Sequence, residues 1–379
     1  MIKQNFNKDY NIDSLHILQA QYRSRSKVEL LQHNDNDSDW IFREKKITNQ
    51  KSDFFNIGLY KTSSSICQFL MKQKLPALVV LLIAEIQGED FAILNCRFEP
   101  GLIGKINFTS TIQSTPNNYS QSHGGKPTPF IEAIDQAEKY GAVIYDSFQF
   151  DWGDFYISKT KRYLIIKLNT IPELPSGFVW FHIKKFKQLA LENQLITNDL
   201  RVCIALFKSL PKQTQQLKTE ASPPYQNQSL KNIPFSTDSA DYFNNRIGFF
   251  KVSTRTREVK SWVQPLIISS KSKTISLTFK QSGNQKLYGV QKKSQPGLLG
   301  KNLWFPANII HNSKPCRQVS TCAEGGRFWQ YLINVQLFKL AHYNTDESSC
   351  IWLSKEDLSL IVLKTCTSSL ELRLAWSIT

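Results

Sequence analysis

The sequence predicts an α+β fold in which two mixed-sheet modules follow each other as a tandem duplication. Three observations support this prediction. Short runs of β-branched and aromatic residues open each half, one helical segment follows them, and related motifs recur in the same order in both halves. The strand–helix alternation of a Rossmann domain and its G-x-G-x-x-G turn are absent from the sequence.

The predicted elements come in the same order in both halves. The predicted strands are FFNIGL (54–59), ALVVLLIAEI (77–86), FAILNCRF (91–98), RYLIIKL (162–168), GFFKV (248–252), SLTFK (276–280) and KLYGVQ (286–291). One helix is predicted in each half, over 183–193 and 354–365. The longest apolar run, LPALVVLLIA (75–84), is too short to span a bilayer and is typical of a buried strand.

Pairs of similar residues mark the repeat along the chain. The pairs are Gln68 and Gln264, Pro100 and Pro296, Trp180 and Trp352, and Arg201 and Arg373. The first two pairs are 196 residues apart and the last two are 172 apart, while GDFYI at 153 and GRFWQ at 326 are 173 apart. The second copy has therefore lost about two dozen residues, which correspond to a polar loop over 109–130 in the first copy.

A change of composition separates the two copies. The segment 209–245 is rich in Gln, Ser, Asn and Pro and poor in periodic apolar positions, which indicates a linker or a long surface excursion. A chain of 379 residues is also too long for one compact core. We therefore expect a first module over 1–208 and a second module, with the shortened loop, over 246–379.

The chain is strongly basic, with 47 Lys and Arg against 31 Asp and Glu and a net charge of +16. This balance is compatible with a nucleic acid, an anionic membrane or an acidic ligand such as a nucleotide diphosphate. The charges are scattered, which is equally typical of a solvated basic surface. Seven cysteines without a C-x-x-C pair, and a start without an apolar signal core, predict a reduced, cytoplasmic protein without a membrane segment.

Several common catalytic motifs are missing from the sequence. GLIGK (101–105) and GLLGK (297–301) are too short for a phosphate-binding P-loop and are interpreted as glycine turns between strands. No H-E-x-x-H motif occurs and the six histidines are far apart, so a protein metal site is not expected. No G-x-S-x-G elbow of a serine hydrolase is present either.

The polar loop 109–130, TSTIQSTPNNYSQSHGGKPTPF, is a candidate binding segment between two apolar runs. Asn118 and Tyr119 can donate hydrogen bonds to the hydroxyls or phosphates of a ligand. His123 titrates near neutral pH, and Gly124 allows the backbone to approach a ligand closely. Residues of these types in a loop are, taken alone, more often turn residues that cap their own backbone.

Two motifs of the second half contain further candidates. In EGGRFWQ (324–330), the guanidinium of Arg327 holds a phosphate or pairs with Glu324. RTREVKSWVQPL (255–266) places Arg257, Trp262 and Gln264 before an apolar strand. Trp262 stacks on a base or, as is commoner, fills a core.

Taken together, these motifs resemble the NDP-hexose 2,3-dehydratases of deoxysugar biosynthesis. The resemblance rests on REVKSWVQPLI, CRFEPG, TIQSTPNNYSQSHGGKPTPFIE, EGGRF and the duplicated W…LR endings, and it covers the chain from about Trp40 onwards. It implies two Nudix-like modules in one subunit that works as a homodimer. The chain has no Nudix box, so metal-dependent pyrophosphate cleavage is not implied.

The resemblance implies a dTDP-4-keto-6-deoxyhexose as the substrate, neither nicotinamide nor metal as a cofactor, and a 3-ketoreductase of the same pathway as the next enzyme. The C4 ketone acidifies the C3 proton, and the enolate left by its removal expels the C2 hydroxyl. Among the residues that match the family motifs, we assign proton transfer to Glu99, His123 or Glu324. Tyr119 or Lys292 is expected to hold the enolate.

The remaining matched residues are expected to bind the substrate. Arg257 and Arg327 would hold the diphosphate, and Trp262 would flank the base. The other predicted substrate-binding residues are Asn118, Gly124 and Gln264.

Some positions depart from the family pattern. Gln295 replaces the Glu of E-P-G in the second half, and an amide cannot act as a base. Asp53 precedes Phe54 where a basic residue is usual, and FDWGDF (150–155) replaces S-E-x-G. Two alternatives therefore stay open: a degenerate relative that binds a nucleotide sugar or serves as a structural subunit, and, less favoured, a basic nucleic-acid-binding protein.

Overall fold

The structure is a computed structural model, and it describes residues 11–23, 25–31, 39–43, 45–50, 54–61, 67–121, 125–140, 142–211, 217–218, 232–233, 245–257, 259–309, 311, 313–340 and 350–379. The described helices are α1 (Ile12–Arg23), α2 (Pro116–Tyr119), α3 (Glu132–Tyr140), α4 (Phe186–Leu189), α5 (Asn198–Ser209), α6 (Lys355–Leu363) and α7 (Leu370–Ser377), with short 3₁₀ helices at Ile183–Lys185 and Pro296–Leu298.

The described structure contains more strand residues than helix residues. They are β1 (Ser26–Leu30), β2 (Trp40–Arg43), β3 (Lys46–Asn49), β4 (Asn56–Lys61), β5 (Cys67–Lys72), β6 (Ala77–Ile86), β7 (Glu89–Phe98), β8 (Ile106–Thr109), β9 (Ile112–Ser114), β10 (Val143–Phe150), β11 (Thr160–Leu168), β12 (Phe178–His182), β13 (Leu217–Lys218), β14 (Asn232–Ile233), β15 (Asn245–Thr254), β16 (Ser261–Ser269), β17 (Lys273–Ser282), β18 (Gln285–Lys293), β19 (Leu303–Pro306), β20 (Arg317–Cys322), β21 (Phe328–Trp329), β22 (Leu332–Lys339) and β23 (Ile351–Leu353).

The two largest sheets are mixed, which confirms the predicted α+β class. In the first, β6 pairs in parallel with β11 and antiparallel with β7, and β12 and β10 flank them. In the second, β17 pairs in parallel with β22 and antiparallel with β18, and β20 and β19 flank them. Strands β13, β8 and β9 also belong to the first large sheet, and β23 belongs to the second. The two smaller sheets are β1-β15-β16-β21 and β14-β4-β3-β2, with β5 paired to β4 in the latter.

The predicted strands are confirmed, and the apolar run forms the buried strand β6. The first predicted helix is shorter than expected, because the 3₁₀ turn and α4 together end at Leu189, whereas the second is α6. Sequence periodicity missed α5 because this helix is buried on nearly every side. Its polar residues Asp199 and Arg201 are buried among apolar neighbours, so the helix has no solvent-facing stripe.

The large sheets correspond in register as well as in strand order. Lys161 pairs with Ala77 in the first sheet, and Ile333 pairs with Lys273 in the second. The equivalent residues Lys161 and Ile333 are 172 positions apart, and Ala77 and Lys273 are 196 positions apart. These are the intervals found between the motifs of the sequence. The predicted interval of 173 residues at Gly153 is off by one, because equivalent backbone hydrogen bonds match Gly153 with Gly325 and not with Gly326.

Helix α3 explains why the polar loop occurs only once. It covers the outer face of the first large sheet, where Ile134 packs with Leu78 and Val80. The residues 196 positions later are Thr274 and Ser276, which are polar and at least partly exposed. The second sheet thus has a polar outer face that does not require a covering helix.

The two halves interlock. The Gly101 amide donates to the Gly325 carbonyl at 2.7 Å, and the Gly297 amide donates to the Gly153 carbonyl at 2.6 Å. Strand β1 of the first predicted module also pairs with β15 of the second. Strands β13 and β14 lie within the predicted linker, most of which is outside the described residues, so the domain boundaries stay a prediction.

The cysteines are free thiols, as their spacing predicted. Burial raises the pKa of the Cys96 thiol to about 12 and that of Cys322 to about 11, although Cys316 is exposed. Among the helices that the structure describes, none has the length and apolarity needed to cross a membrane.

Candidate active site

A cavity of about 740 Å³ lies between the two halves, within the range of roughly 300–1,000 Å³ typical of small-molecule sites. Its charged lining residues are Asp39, Arg97, Glu99, Lys161, Asp199, Lys251, Arg257, Glu324 and Arg327. Its aromatic lining residues are Trp40, Phe54, Phe55 and Trp262. The cavity thus combines cations and carboxylates with aromatic faces, which suits a ligand that carries both an anionic group and a ring.

Glu99 is held at the cavity by the end of β7 and the loop that follows it. Its side chain is buried, with 5% of the residue exposed. One carboxylate oxygen accepts from Nε2 of Gln113 at 2.9 Å, and the other accepts from the Gly325 amide at 3.0 Å. Nε of Arg97 lies 3.9 Å from the carboxylate. Residues of both halves therefore hold Glu99 in one orientation.

Glu324 belongs to a buried network of charges. Its Oε2 atom accepts from the Lys159 ammonium at 2.8 Å and from the Tyr156 hydroxyl at 2.9 Å. Lys159 also lies 2.9 Å from Oδ2 of Asp151, and its side chain has no exposed surface. A buried carboxylate between such partners is fixed as an anion.

Lys161 extends this network to the cavity. Its ammonium donates to both carboxylate oxygens of Asp199, at 2.8 and 3.0 Å, and it lies 3.3 Å from Asp151 and 3.8 Å from Glu324. Strand β11 supplies Lys161 and the first turn of α5 supplies Asp199, so two secondary-structure elements fix the pair. Both residues line the cavity.

The two glutamates have pKa values shifted in opposite directions. Burial raises the pKa of Glu99, the charges of Glu324 and Asp199 add to this, and the cation of Arg97 opposes it. Burial would also raise the pKa of Glu324, but the Lys159 and Lys161 ammonium groups lower it well below its usual range. Pairs with separated pKa values of this kind are typical of sites that transfer protons.

The second half supplies a row of polar side chains to the cavity wall. The Arg327 guanidinium lies 3.8 Å from the centre of the Phe55 ring. Of the two alternatives for Arg327, the ion pair with Glu324 is not formed within 4 Å, and Glu324 pairs with Lys159 at 2.8 Å. Nε1 of Trp262 donates to Oε1 of Gln264 at 2.7 Å, and Nε2 of Gln264 donates to the Gly326 carbonyl at 3.0 Å.

The remaining predicted cation of the wall is Arg257, which is anchored to the first half. Its Nη1 atom donates to the Phe98 carbonyl at 2.9 Å, one residue before Glu99. Asn118, in helix α2 of the polar loop, also lines the cavity, together with Ser114 and Thr115. The polar loop therefore contributes residues to the cavity lining, and its role as a binding segment stays a prediction.

The structure brings seven of the predicted site residues to this cavity. They are Glu99, Asn118, Arg257, Trp262, Gln264, Glu324 and Arg327. It places Tyr119 elsewhere, packed against the apolar cluster under α3, and Lys292 on β18, with its ammonium 5.0 Å from the centre of the Trp304 ring. His123 and Gly124, like Asp53, lie outside the described residues.

The sequence interpretation missed the lysines and aspartates of the buried network. The available signal was the alternation of Lys159, Lys161 and Tyr163 directly before and within an apolar strand, which puts all three on one face of the sheet. Asp151, in the segment FDWGDF (150–155), belongs to this network. The carbonyl of Gly153 in the same segment accepts a hydrogen bond from the Gly297 amide.

Comparisons with known proteins identify similar sequences. Residues 15–207 match the family model described as NDP-hexose 2,3-dehydratase. The chain is similar to dTDP-4-dehydro-6-deoxy-α-D-glucopyranose 2,3-dehydratases from three organisms. The relative from Saccharopolyspora spinosa is 21% identical over 267 residues, which cover 59% of this chain and 54% of the relative.

Two further relatives carry the same name. The one from Streptomyces violaceoruber is 21% identical over 261 residues, covering 61% of this chain and 58% of the relative. The one from Amycolatopsis orientalis is 23% identical over 223 residues, covering 53% and 47%. The chain thus spans about half the length of the curated relatives it matches.

Proposed function

The chain belongs to the NDP-hexose 2,3-dehydratase family, and we propose that it removes water from a dTDP-4-keto-6-deoxyhexose in deoxysugar biosynthesis. The observation that supports this most directly is the pairing of Glu99 and Glu324 in one cavity with pKa values shifted in opposite directions. Elimination next to a ketone requires one group that takes up and releases a proton. It also requires charged or polar groups that keep their position and charge while the negative charge of the enolate develops.

In the proposed reaction Glu99 takes the C3 proton. The electron pair of the C3–H bond moves towards the C4 ketone and forms an enolate, which then expels the C2 hydroxyl. A general acid gives that hydroxyl a proton so that it leaves as water. The enol that remains takes up a proton at C2 and releases the proton of its C3 hydroxyl, which gives a 3,4-diketo sugar. General acid–base groups of this kind typically contribute about 10²- to 10⁴-fold to the rate.

Glu99 is favoured over the other predicted proton-transfer residues. Burial raises the pKa of Glu99, which makes its carboxylate a stronger base than that of an exposed glutamate. Glu324 is instead kept ionised by its lysine partners, so we assign it a fixed electrostatic role. His123 remains a predicted acid outside the described residues.

The proposed binding mode follows the chemistry of the cavity wall. Arg257 and Arg327 hold the diphosphate, because guanidinium groups bind phosphate oxygens with pairs of hydrogen bonds. Trp262 presents an aromatic face for the thymine ring, and Asn118 provides an amide for a hydroxyl or carbonyl.

We also propose that the two halves arose by tandem duplication of a Nudix-like module. The duplication is supported by the matching strand orders of the two large sheets. It is also supported by the spacing of equivalent residues, which are 196 positions apart before the polar loop and 172 positions apart after it. A homodimer and a 3-ketoreductase that consumes the diketo product stay predictions from the family resemblance. Light scattering of the purified chain and coupled turnover with such a reductase test them.

The proposed function is tested by incubating the protein with dTDP-4-keto-6-deoxyglucose in deuterium oxide, with a 3-ketoreductase present to trap the product. Mass spectrometry should find the loss of one water and one solvent deuterium at C2. A substrate that stays unchanged, yet binds and raises the melting temperature, would point to the degenerate binding protein. A substrate that neither reacts nor binds would contradict the proposal.

A further inference from the structure

We propose that Lys161 is the cation that holds the C4 oxygen of the keto sugar while the enolate forms, an assignment that rests on the proposed function. Any such elimination needs a positive group at this oxygen, since negative charge develops there. The two residues that the sequence suggested for this role, Tyr119 and Lys292, do not line the cavity. Lys161 lines the cavity and was not among the residues that the sequence suggested for this role.

The position of Lys161 fits this role because one of its carboxylate partners lies beside the residue that holds Glu99. Asp199 and Glu324 lie 2.8 and 3.8 Å from the Lys161 ammonium, and the amide of Gly325, which follows Glu324, donates to the Glu99 carboxylate at 3.0 Å. The cation and the proton acceptor therefore belong to one end of the cavity. The reaction requires this arrangement, because C3 and C4 are adjacent atoms of the sugar ring.

Other cations of the cavity are committed to different parts of the wall. Nε of Arg97 lies 3.9 Å from the Glu99 carboxylate. The Arg327 guanidinium lies on the Phe55 ring, and Arg257 donates to the Phe98 carbonyl. Lys251 is exposed, which disfavours it as a fixed electrostatic partner in a dry site. Only 6% of the Lys161 side chain is exposed, and two buried carboxylates fix its ammonium in place.

The charge state of Lys161 restricts what it can do. Burial would lower the pKa of Lys161, but Asp151, Asp199 and Glu324 raise it well above its ordinary value. The ammonium therefore keeps its protons, which excludes a free-amine role such as Schiff-base formation or proton abstraction. It acts as a preorganised donor that needs no rearrangement when the enolate charge appears.

The test compares Lys161→Met with Lys167→Met, using the trapped dehydration assay and a substrate deuterated at C3. Lys167 lies on the same strand but is exposed and pairs with Glu85 and Asp90, so its variant should resemble the wild type. For Lys161→Met we expect kcat to fall by about 10²- to 10³-fold, as after loss of one oxyanion donor. KM should change little, and the C3 isotope effect on kcat should rise.

A second pair of variants keeps the test valid if Lys161→Met fails to fold. Lys161→Met combined with Asp199→Asn removes one positive and one negative charge from the buried network, and it is compared with Asp199→Asn alone. A double variant that matches its single-variant control in kcat would overturn the assignment, and so would a loss confined to KM. If the wild type releases no water, the proposed function fails and the assignment fails with it.

Discussion

Replacing Gly101 with Ala should separate the two halves at the cavity. A methyl group built at Gly101 would overlap the Phe328 carbonyl oxygen and lie 2.8 Å from the Gly325 carbonyl oxygen. These neighbours are backbone atoms, so the loop that carries Glu99 must move by at least about 1 Å, a misplacement that can cost about 10²-fold in rate. Glu99 would also lose its hydrogen bond from the Gly325 amide.

The loss of stability can be estimated from the same contacts. Overpacking costs about 1–3 kcal/mol, and two weakened backbone hydrogen bonds of about 0.5–1.5 kcal/mol each bring the total to about 2–6 kcal/mol. Those bonds join the Gly101 amide to the Gly325 carbonyl and the Gln330 amide to the Gly101 carbonyl, both at 2.7 Å. Thermal unfolding and steady-state kinetics of the purified variant measure the two effects.

The matched control is Gly297→Ala. Its methyl group would overlap the Tyr156 carbonyl oxygen in the equivalent contact of the second half, which is not part of the cavity lining. We expect a comparable loss of stability with a smaller loss of kcat than in Gly101→Ala. A Gly101→Ala variant with wild-type stability and kcat would refute the interlocked geometry.

Three further predictions concern the cavity itself. Burial raises the pKa of Glu99, and a general base must be ionised to act. We therefore expect kcat/KM to rise with pH, with an apparent pKa above the ordinary Glu value of about 4.3. The Glu99→Gln variant should lack this rise. Glu324→Gln should lower the free energy of unfolding by about 1.5–3 kcal/mol at pH 7. A carboxyl group whose pKa is lowered in the folded state stabilises the fold at pH values above its unfolded-state pKa. In denaturant titrations the difference in unfolding free energy between the wild type and Glu324→Gln should therefore persist above about pH 4.3 and shrink as the pH falls further. Arg327→Met should weaken dTDP binding by about 10- to 150-fold in calorimetry, and Arg327→Lys should also weaken it because only the planar guanidinium stacks on Phe55 and binds phosphate in two places.

The strands could be predicted from the sequence because they bury apolar residues in runs. ALVVLLIAEI is almost entirely buried as β6, and its limits agree with the run itself. The glycine turns were also predictable: Gly104 and Gly300, between β7 and β8 and between β18 and β19, both have positive φ. Such features depend on local sequence, which a single chain displays directly.

The buried charge network could not be predicted in the same way. Lys159 and Asp151 are charged residues that are usually exposed, and they are buried here because the two halves interlock around Glu324. Lys292 was selected from a family motif, but its strand turns it towards Trp304. Gln295 raised doubt about catalysis, yet it lies outside the cavity lining and donates to Glu371 at 2.7 Å.

The central claim is that Glu99, held between the two halves, takes the C3 proton. The most direct measurement is the rate of water loss from dTDP-4-keto-6-deoxyglucose by Glu99→Gln and by the wild type, together with the substrate affinity of each. We predict that the variant binds the substrate with an affinity close to that of the wild type and turns it over at least about 10²-fold more slowly. Turnover at the wild-type rate by a folded Glu99→Gln protein would contradict the account.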